Sequence, residues 1–157
     1  MRHAEAEGMA RSDADRSLSP RGFGQAQRAG QWLASQNVAI DMICHSPYLR
    51  AKQTAAEVCR ALNSTSSLGL EELAPSGDLQ RLLAQWEQLS LPGGSVPVSM
   101  LWVTHQPLVG NLRNVLAEGS VGNGYPFAPA SITLLEYDYV GPACASVVWL
   151  RDVADFG

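Results

Sequence analysis

Arg2 and His3 stand side by side at the start of the sequence, Arg50 lies a third of the way along, and His105 lies two thirds along. Guanidinium groups grip phosphate or carboxylate oxygens through paired N–H bonds. A neutral imidazole offers one nucleophilic lone pair and one N–H donor. Gathered in one crevice, the four would bind an oxyanion and present a nucleophile to it. Taken one at a time, each has an ordinary reading. Arg2-His3 would be a solvated terminus, Arg50 a helix-surface charge paired with Glu57 or Asp78, His105 a core histidine, and Glu72 a strand-end carboxylate. His45 reads as structural. Trp32, Trp86, Trp102 and Trp149 read as core rather than as a binding platform.

Positioning these residues falls to alternating strands and helices. Residues 4–17 are polar and aperiodic, so they form a loop. Ser19-Pro20 supplies a capping hydroxyl and a first-turn proline. The helix that follows carries Phe23, Ala26, Gly30 and Leu33 on one face and ends at Asn37. Residues 38–44 read as a strand. Ser46-Pro47 repeats the helix start, which puts Arg50 four residues in, and Tyr48, Ala51, Ala55, Val58 and Leu62 share a face until Asn63. A weaker strand is expected over 68–73. A helix is expected over 79–89, with Leu79, Leu82, Leu83, Trp86 and Leu89 inward. A turn at 91–95 precedes the clearest buried strand, 98–104. A helix from about 107 to 117, a Gly/Pro loop over 118–129, and strands at 131–138 and 145–151 around Gly141-Pro142 complete the chain. The pattern predicts one domain over 1–157, a three-layer α/β/α sandwich with a mainly parallel central sheet. Such sheets bind ligands beyond the carboxyl ends of their strands. Ser46, Arg50 and His105 fall at those ends.

Composition narrows the function classes. The chain has 157 residues, 46% apolar and 17% charged, with a formal charge of −4. That balance argues against a nucleic-acid binder, which shows a basic face. It leaves room for a phosphate site, because the field that matters there is local. No apolar run approaches ~20 residues, so no membrane-spanning helix is expected. The start has no secretory pattern. Cys44, Cys59 and Cys144 are odd in number and widely spaced, with no C-x-x-C. This argues against a disulfide framework or structural zinc and favours a cytoplasmic location.

Four stretches resemble one family. Arg2-His3-Ala4 is similar to the Arg-His-Gly signature of the histidine phosphatase superfamily, with alanine in place of the usual glycine. Leu18-Ser19-Pro20-Arg21-Gly22 resembles its Leu-Thr-x-x-Gly helix start. Residues 46–55 (SPYLRAKQTA) resemble its second-arginine motif, and residues 103–110 (VTHQPLVG) its second-histidine motif. The compact length, residues 72–78 (ELAPSGD) and the His-x-Pro-Leu-Val-Gly stretch are most like the short SixA-type phosphohistidine phosphatases. The resemblance runs from Arg2 to about Gly110.

It implies a phosphoglycerate mutase-like fold and a phosphohydrolase that uses no metal or cofactor. His3 would be the nucleophile and form a phosphohistidine intermediate. Arg2, Arg50 and His105 would hold the phosphoryl oxygens, with Arg16 as a further clamp and Glu72 as the possible acid. The implied substrate is a phosphohistidine-bearing protein, a histidine phosphotransfer domain or phosphocarrier, and inorganic phosphate is the product. In the family an apolar strand carries Arg-His into the sheet. Here only Met1 precedes Arg2, so either residues lie upstream or the first strand is a stub. The competing readings are a phosphatase or mutase of small phosphorylated metabolites, a metal-dependent hydrolase built on His3, His45 and His105, and a phosphate-binding module without catalysis.

Overall fold

A computed structural model describes residues 1–36, 38–64, 67–89 and 99–156. The expected ends at Asn37, the turn at 91–95 and the start of the strand at Val98 lie outside the described residues. The element order is α1 (Pro20–Ser35), β1 (Met42–His45), α2 (Leu49–Ala61), β2 (Leu68–Gly69), α3 (Leu79–Trp86), β3 (Met100–Val103), α4 (Leu108–Glu118), β4 (Ile132–Tyr137) and β5 (Ala145–Arg151). Strands β2, β1 and β3 pair in parallel in that order, and β4 and β5 form an antiparallel hairpin.

The start of the chain joins these two sheets. Thr104 N–H donates to the Met1 carbonyl at 3.0 Å, and His3 N–H donates to the Thr104 carbonyl at 2.9 Å. On the other side Arg2 N–H donates to Ser131 O at 3.0 Å, and Ala130 N–H donates to His3 O at 3.2 Å. Three residues thus act as a strand between β3 and the start of β4. Beyond them the two strands diverge around a cavity of about 640 Å³, lined by Met100, Leu101 and Trp102 on one side and Leu134, Leu135 and Tyr137 on the other.

Side chains alternate across the sheet, as a pleat requires. Ile43, Leu101 and Val103 pack with Ala26, Ala29 and Leu33 of α1 and Ala51, Ala55 and Val58 of α2. Cys44 and Trp102 face the opposite way and pack with Leu82 of α3 and Leu112 and Leu116 of α4. This is the three-layer α/β/α arrangement. Burying each branched or aliphatic side chain contributes about 1.5–3 kcal/mol, so both layers are needed.

Several boundaries differ from the sequence reading. The strand expected over 38–44 starts at Met42, because its pairing with β3 begins at Met42–Met100. The strand expected over 68–73 is only Leu68–Gly69, and Glu71–Leu73 coil into a 3₁₀ turn closed by Leu73 N–H to Leu70 O and Ala74 N–H to Glu71 O. The helix expected over 79–89 stops at Trp86. Phe23 lies outside the buried face of α1, which Gly22, Ala26, Ala29 and Leu33 form instead. Ser46 does not cap α2. Tyr48 occupies that position, and Arg50 is the second helical residue rather than the fourth.

Gly22 lets the loop that follows His3 lie against α1. A Cβ built on Gly22 would sit 1.9 Å from the Glu5 carbonyl oxygen, whereas one on Gly24 would meet nothing within 4 Å. Gly22→Ala is expected to lower unfolding free energy by about 1–3 kcal/mol through overpacking. Gly24→Ala, on the same helix, should leave it unchanged or raise it by up to about 1 kcal/mol. Urea denaturation midpoints at a common slope check both.

Candidate active site

His3 and His105 meet at the carboxyl end of the sheet, with ring centroids 4.8 Å apart. Both are nearly inaccessible, at 8% and 1% exposure. His3 Nδ1 lies 2.6 Å from the Ala4 carbonyl oxygen. A carbonyl can only accept, so Nδ1 carries the proton and Nε2 keeps its lone pair. Arg50 Nε–H donates to that Nε2 at 3.2 Å. Arg2 Nη1 donates to the Phe127 carbonyl at 2.6 Å, while its Nε is buried without a partner. His105 Nε2 lies 2.7 Å from the Ser46 hydroxyl, and its Nδ1 is likewise buried without a partner. Tyr48 stacks edge-on to His105 at 5.2 Å and lies under the Arg50 guanidinium at 4.9 Å.

Local sequence explains how these groups are held. Thr54, one turn beyond Arg50, accepts from Ala4 N–H at 3.1 Å and donates to the Arg50 carbonyl at 2.7 Å. Gln53 accepts from Leu18 N–H at 2.7 Å. The Gln-Thr pair of the second-arginine stretch therefore ties α2 to the segments around His3. Gly110 plays the matching part in α4, where a Cβ would lie 2.2 Å from the Tyr125 carbonyl oxygen. Gln106 Nε2 donates to that same oxygen at 2.8 Å. The 118–129 loop is thereby drawn in, and it delivers the Phe127 carbonyl to Arg2.

The structure thus brings Arg2, His3, Arg50 and His105 together. Arg16 is adjacent, with Nε donating to the Glu7 carbonyl at 2.7 Å and Nη1 bound to Asp13 Oδ1 at 2.9 Å. Glu72 is not brought in. It sits on the 3₁₀ turn, and its carboxylate has no hydrogen bond or ion pair to the four among the described residues. His45 turns away, with Nδ1 2.8 Å from the Ser46 carbonyl. Among the described residues no group of three or more His, Cys, Asp or Glu could hold a metal ion, so the three-histidine arrangement is not formed.

The family model of the histidine phosphatase superfamily (branch 1) matches residues 1–88, over half the chain. The chain belongs to that superfamily. It is 38% identical over 138 residues to phosphohistidine phosphatase SixA of Escherichia coli (strain K12), covering 87% of this chain and 84% of that protein. It is 36% identical over 151 residues to a SixA homolog of Haemophilus influenzae, covering 88% and 86%. The solved structure of the protein histidine phosphatase SixA complexed with tungstate superposes with a TM-score of 0.86 at 32% identity, covering 100% of this chain and 97% of that one. Fold class and phosphohydrolase class follow from these matches.

Within this histidine phosphatase, the residue least visible in the sequence is Asp13. The sequence reading placed it in a featureless polar loop. Its carboxylate spans two guanidiniums, Oδ1 on Arg16 and Oδ2 on Arg50, the latter at 3.0 Å, and its backbone carbonyl accepts from Arg50 Nη1 at 2.6 Å. Hydrogen bonds from Arg16 and Arg50 hold its carboxyl below the usual carboxylate range. An incoming oxyanion competes with it for the same donors. Asp13→Asn removes the charge but keeps the backbone contact. It should tighten inorganic phosphate by about 1.4- to fivefold, the scale of about 0.2–1 kcal/mol for a solvent-facing ion pair. Calorimetric titration at pH 7 reads this directly.

Both histidines are kept neutral. Burial, then the charges of Arg50, Arg2 and Arg16, push His3 down to about 4 despite the opposing bond to Ala4. Burial, then His3 and Arg50, push His105 down to about 3. A histidine lowered on folding binds protons more readily when unfolded, so stability is full above the unfolded value of about 6.5 and falls as pH drops toward 4. The urea midpoint is expected to fall over that window, and less steeply in His3→Gln.

Proposed function

We propose that this chain hydrolyses phosphohistidine on a protein partner through a covalent intermediate on His3. The observation that carries the reading is the His3 Nδ1 bond to the Ala4 carbonyl. It fixes the tautomer and leaves Nε2 as the lone pair among the arginines. In the first step Nε2 attacks phosphorus in line as the bond to the substrate's imidazole breaks, leaving phosphate on His3. Arg2, Arg50 and His105 hold the non-bridging oxygens, and Arg16 adds charge at the rim. In the second step water attacks the phosphorus, His3 Nε2 is the leaving atom, and inorganic phosphate departs.

Leaving-group chemistry favours phosphohistidine over a phosphate monoester. An alkoxide must be protonated as it leaves. Asp13, the carboxyl bound to Arg50, is held ionised by two arginines, and among the described residues no hydrogen bond or ion pair joins Glu72 to the four. A phosphohistidine ring that carries a proton on its other nitrogen leaves as neutral imidazole with no acid at the scissile nitrogen, and transfer from one histidine to another is nearly symmetric. The similarity to enzymes named phosphohistidine phosphatases points the same way. A histidine phosphotransfer domain or phosphocarrier presents such a group on its surface.

The test is transient labelling. Protein mixed with a ³²P-phosphohistidine phosphocarrier should carry label on His3 within one turnover when quenched in alkaline denaturant, since a phosphoramidate survives base and not acid. His3→Ala should carry none. A wild-type enzyme that releases phosphate at full rate but never carries label would overturn the intermediate. Equal turnover of sugar phosphates and the phosphocarrier would instead favour the small-metabolite reading.

A further inference from the structure

Ser46 belongs to the site in a way that neither its sequence position nor its expected role as a helix cap indicates. It is fully buried, and its backbone N–H is bound to the Val103 carbonyl at 3.0 Å. Its hydroxyl has two neighbours, Tyr48 N–H, which donates to it at 3.2 Å, and His105 Nε2 at 2.7 Å. A hydroxyl carries one hydrogen and two acceptor lone pairs. Tyr48 N–H occupies one lone pair. The open question is which way the proton lies in the bond to His105.

If His105 Nε2 carried the proton, Ser46 would accept twice and its own hydrogen would have no acceptor in a closed core. A buried donor left unsatisfied costs about 1–3 kcal/mol. His105 Nδ1 would then be a bare, buried lone pair in the field of Arg50 and Arg2, and an oxyanion held by those arginines would face it. Two lone pairs facing each other repel. If Ser46 donates instead, the Tyr48–Ser46 and Ser46–His105 contacts are both used, and the ring proton sits on Nδ1, the one atom of the chain left for a bound oxyanion to satisfy. The remaining unpartnered atoms then form a set. Arg2 Nε–H and His105 Nδ1–H are both buried donors without acceptors, and one phosphoryl group supplies acceptors for both.

We propose that Ser46 is a positioning residue that donates its hydroxyl proton to His105 Nε2 and thereby fixes the neutral Nδ1–H tautomer that binds the phosphoryl group. His105 stays neutral near pH 7 because burial and the surrounding positive charge oppose its protonation, so it has a single N–H to offer. Ser46 decides which nitrogen offers it. The two histidines are then set in the same tautomer by different acceptors and donors. The Ala4 carbonyl holds the proton on Nδ1 of His3, where it is out of the way, and Ser46 holds it on Nδ1 of His105, where it is used. The consequence for turnover rests on the phosphohydrolase reading; the tautomer itself does not.

The experiment reads the tautomer first. Long-range ¹H–¹⁵N correlation spectra of the ¹⁵N-histidine-labelled wild-type protein at pH 7 should show His105 as a neutral ring protonated at Nδ1, with and without inorganic phosphate. A neutral ring protonated at Nε2 overturns the proposal, and this arm needs no variant that might fail to fold. Ser46→Ala should give a mixed or Nε2–H His105 and lower kcat/KM by about a hundredfold, the scale of losing one preorganised donor to the transition state. Ser46→Thr, which keeps the hydroxyl, should restore the Nδ1–H signature and most of the rate. A folded Ser46→Ala protein with an unchanged tautomer and a rate within twofold of wild type also overturns the proposal. An Nδ1–H tautomer in a wild-type protein that hydrolyses no phosphohistidine supports the assignment and removes the phosphohistidine reading instead.

Discussion

The backbone bonds on either side of His3 are the constraint on which the site depends. His3 N–H is fixed to Thr104 and His3 O to Ala130. Thr104 directly follows β3 and is itself tied to the 3₁₀ turn, since its hydroxyl donates to the Leu73 carbonyl at 2.7 Å. The residue after Thr104 is His105. One short ladder therefore sets the spacing of both histidines from opposite ends of the sequence, and the 4.8 Å between their rings follows from strand geometry. A side chain placed by a central strand has little freedom to drift, which is what in-line attack on phosphorus demands.

Arg50 depends on that ladder in turn. It donates through Nε to His3, through Nη1 to the Asp13 carbonyl and through Nη2 to the Asp13 carboxylate. Its helix is tethered to Ala4 through Thr54. Strand, loop and helix thus converge on one guanidinium. The planar fork suits this because its N–H groups point in fixed, different directions. A lysine in its place would offer one rotatable ammonium.

Much of this was legible in the sequence. The order of strands and helices, the rule that places sites at strand ends, and the types of Arg2, His3, Arg50 and His105 led to the same crevice that the coordinates form. Boundaries were less legible where tertiary partners decide them. Met42 begins a strand because Met100 lies opposite, and the run at 68–73 coils after two residues although its composition allows more. Ser46-Pro47 has the makings of a good capping pair, and nothing local announces that the Ser46 hydroxyl is turned toward a histidine 59 residues away. Asp13 had no signal of its own. Its role comes from the fold of a polar loop across two arginines, which periodicity cannot report. Glu72 was drawn from resemblance and position, and its carboxylate is not among the groups that meet.

The unpartnered N–H groups of Arg2 and His105 have a further meaning. Buried donors without acceptors weaken a folded chain, and so does a cluster of guanidiniums beside two neutral imidazoles. Without a bound anion the site is therefore a region of local frustration, held in place by the sheet beneath it. Substitutions that relieve it, by removing a charge or filling the space with an apolar group, would yield a sturdier fold with no grip on phosphate. The most durable version of this protein and the working one are different sequences, and the residues that separate them are those the site cannot do without.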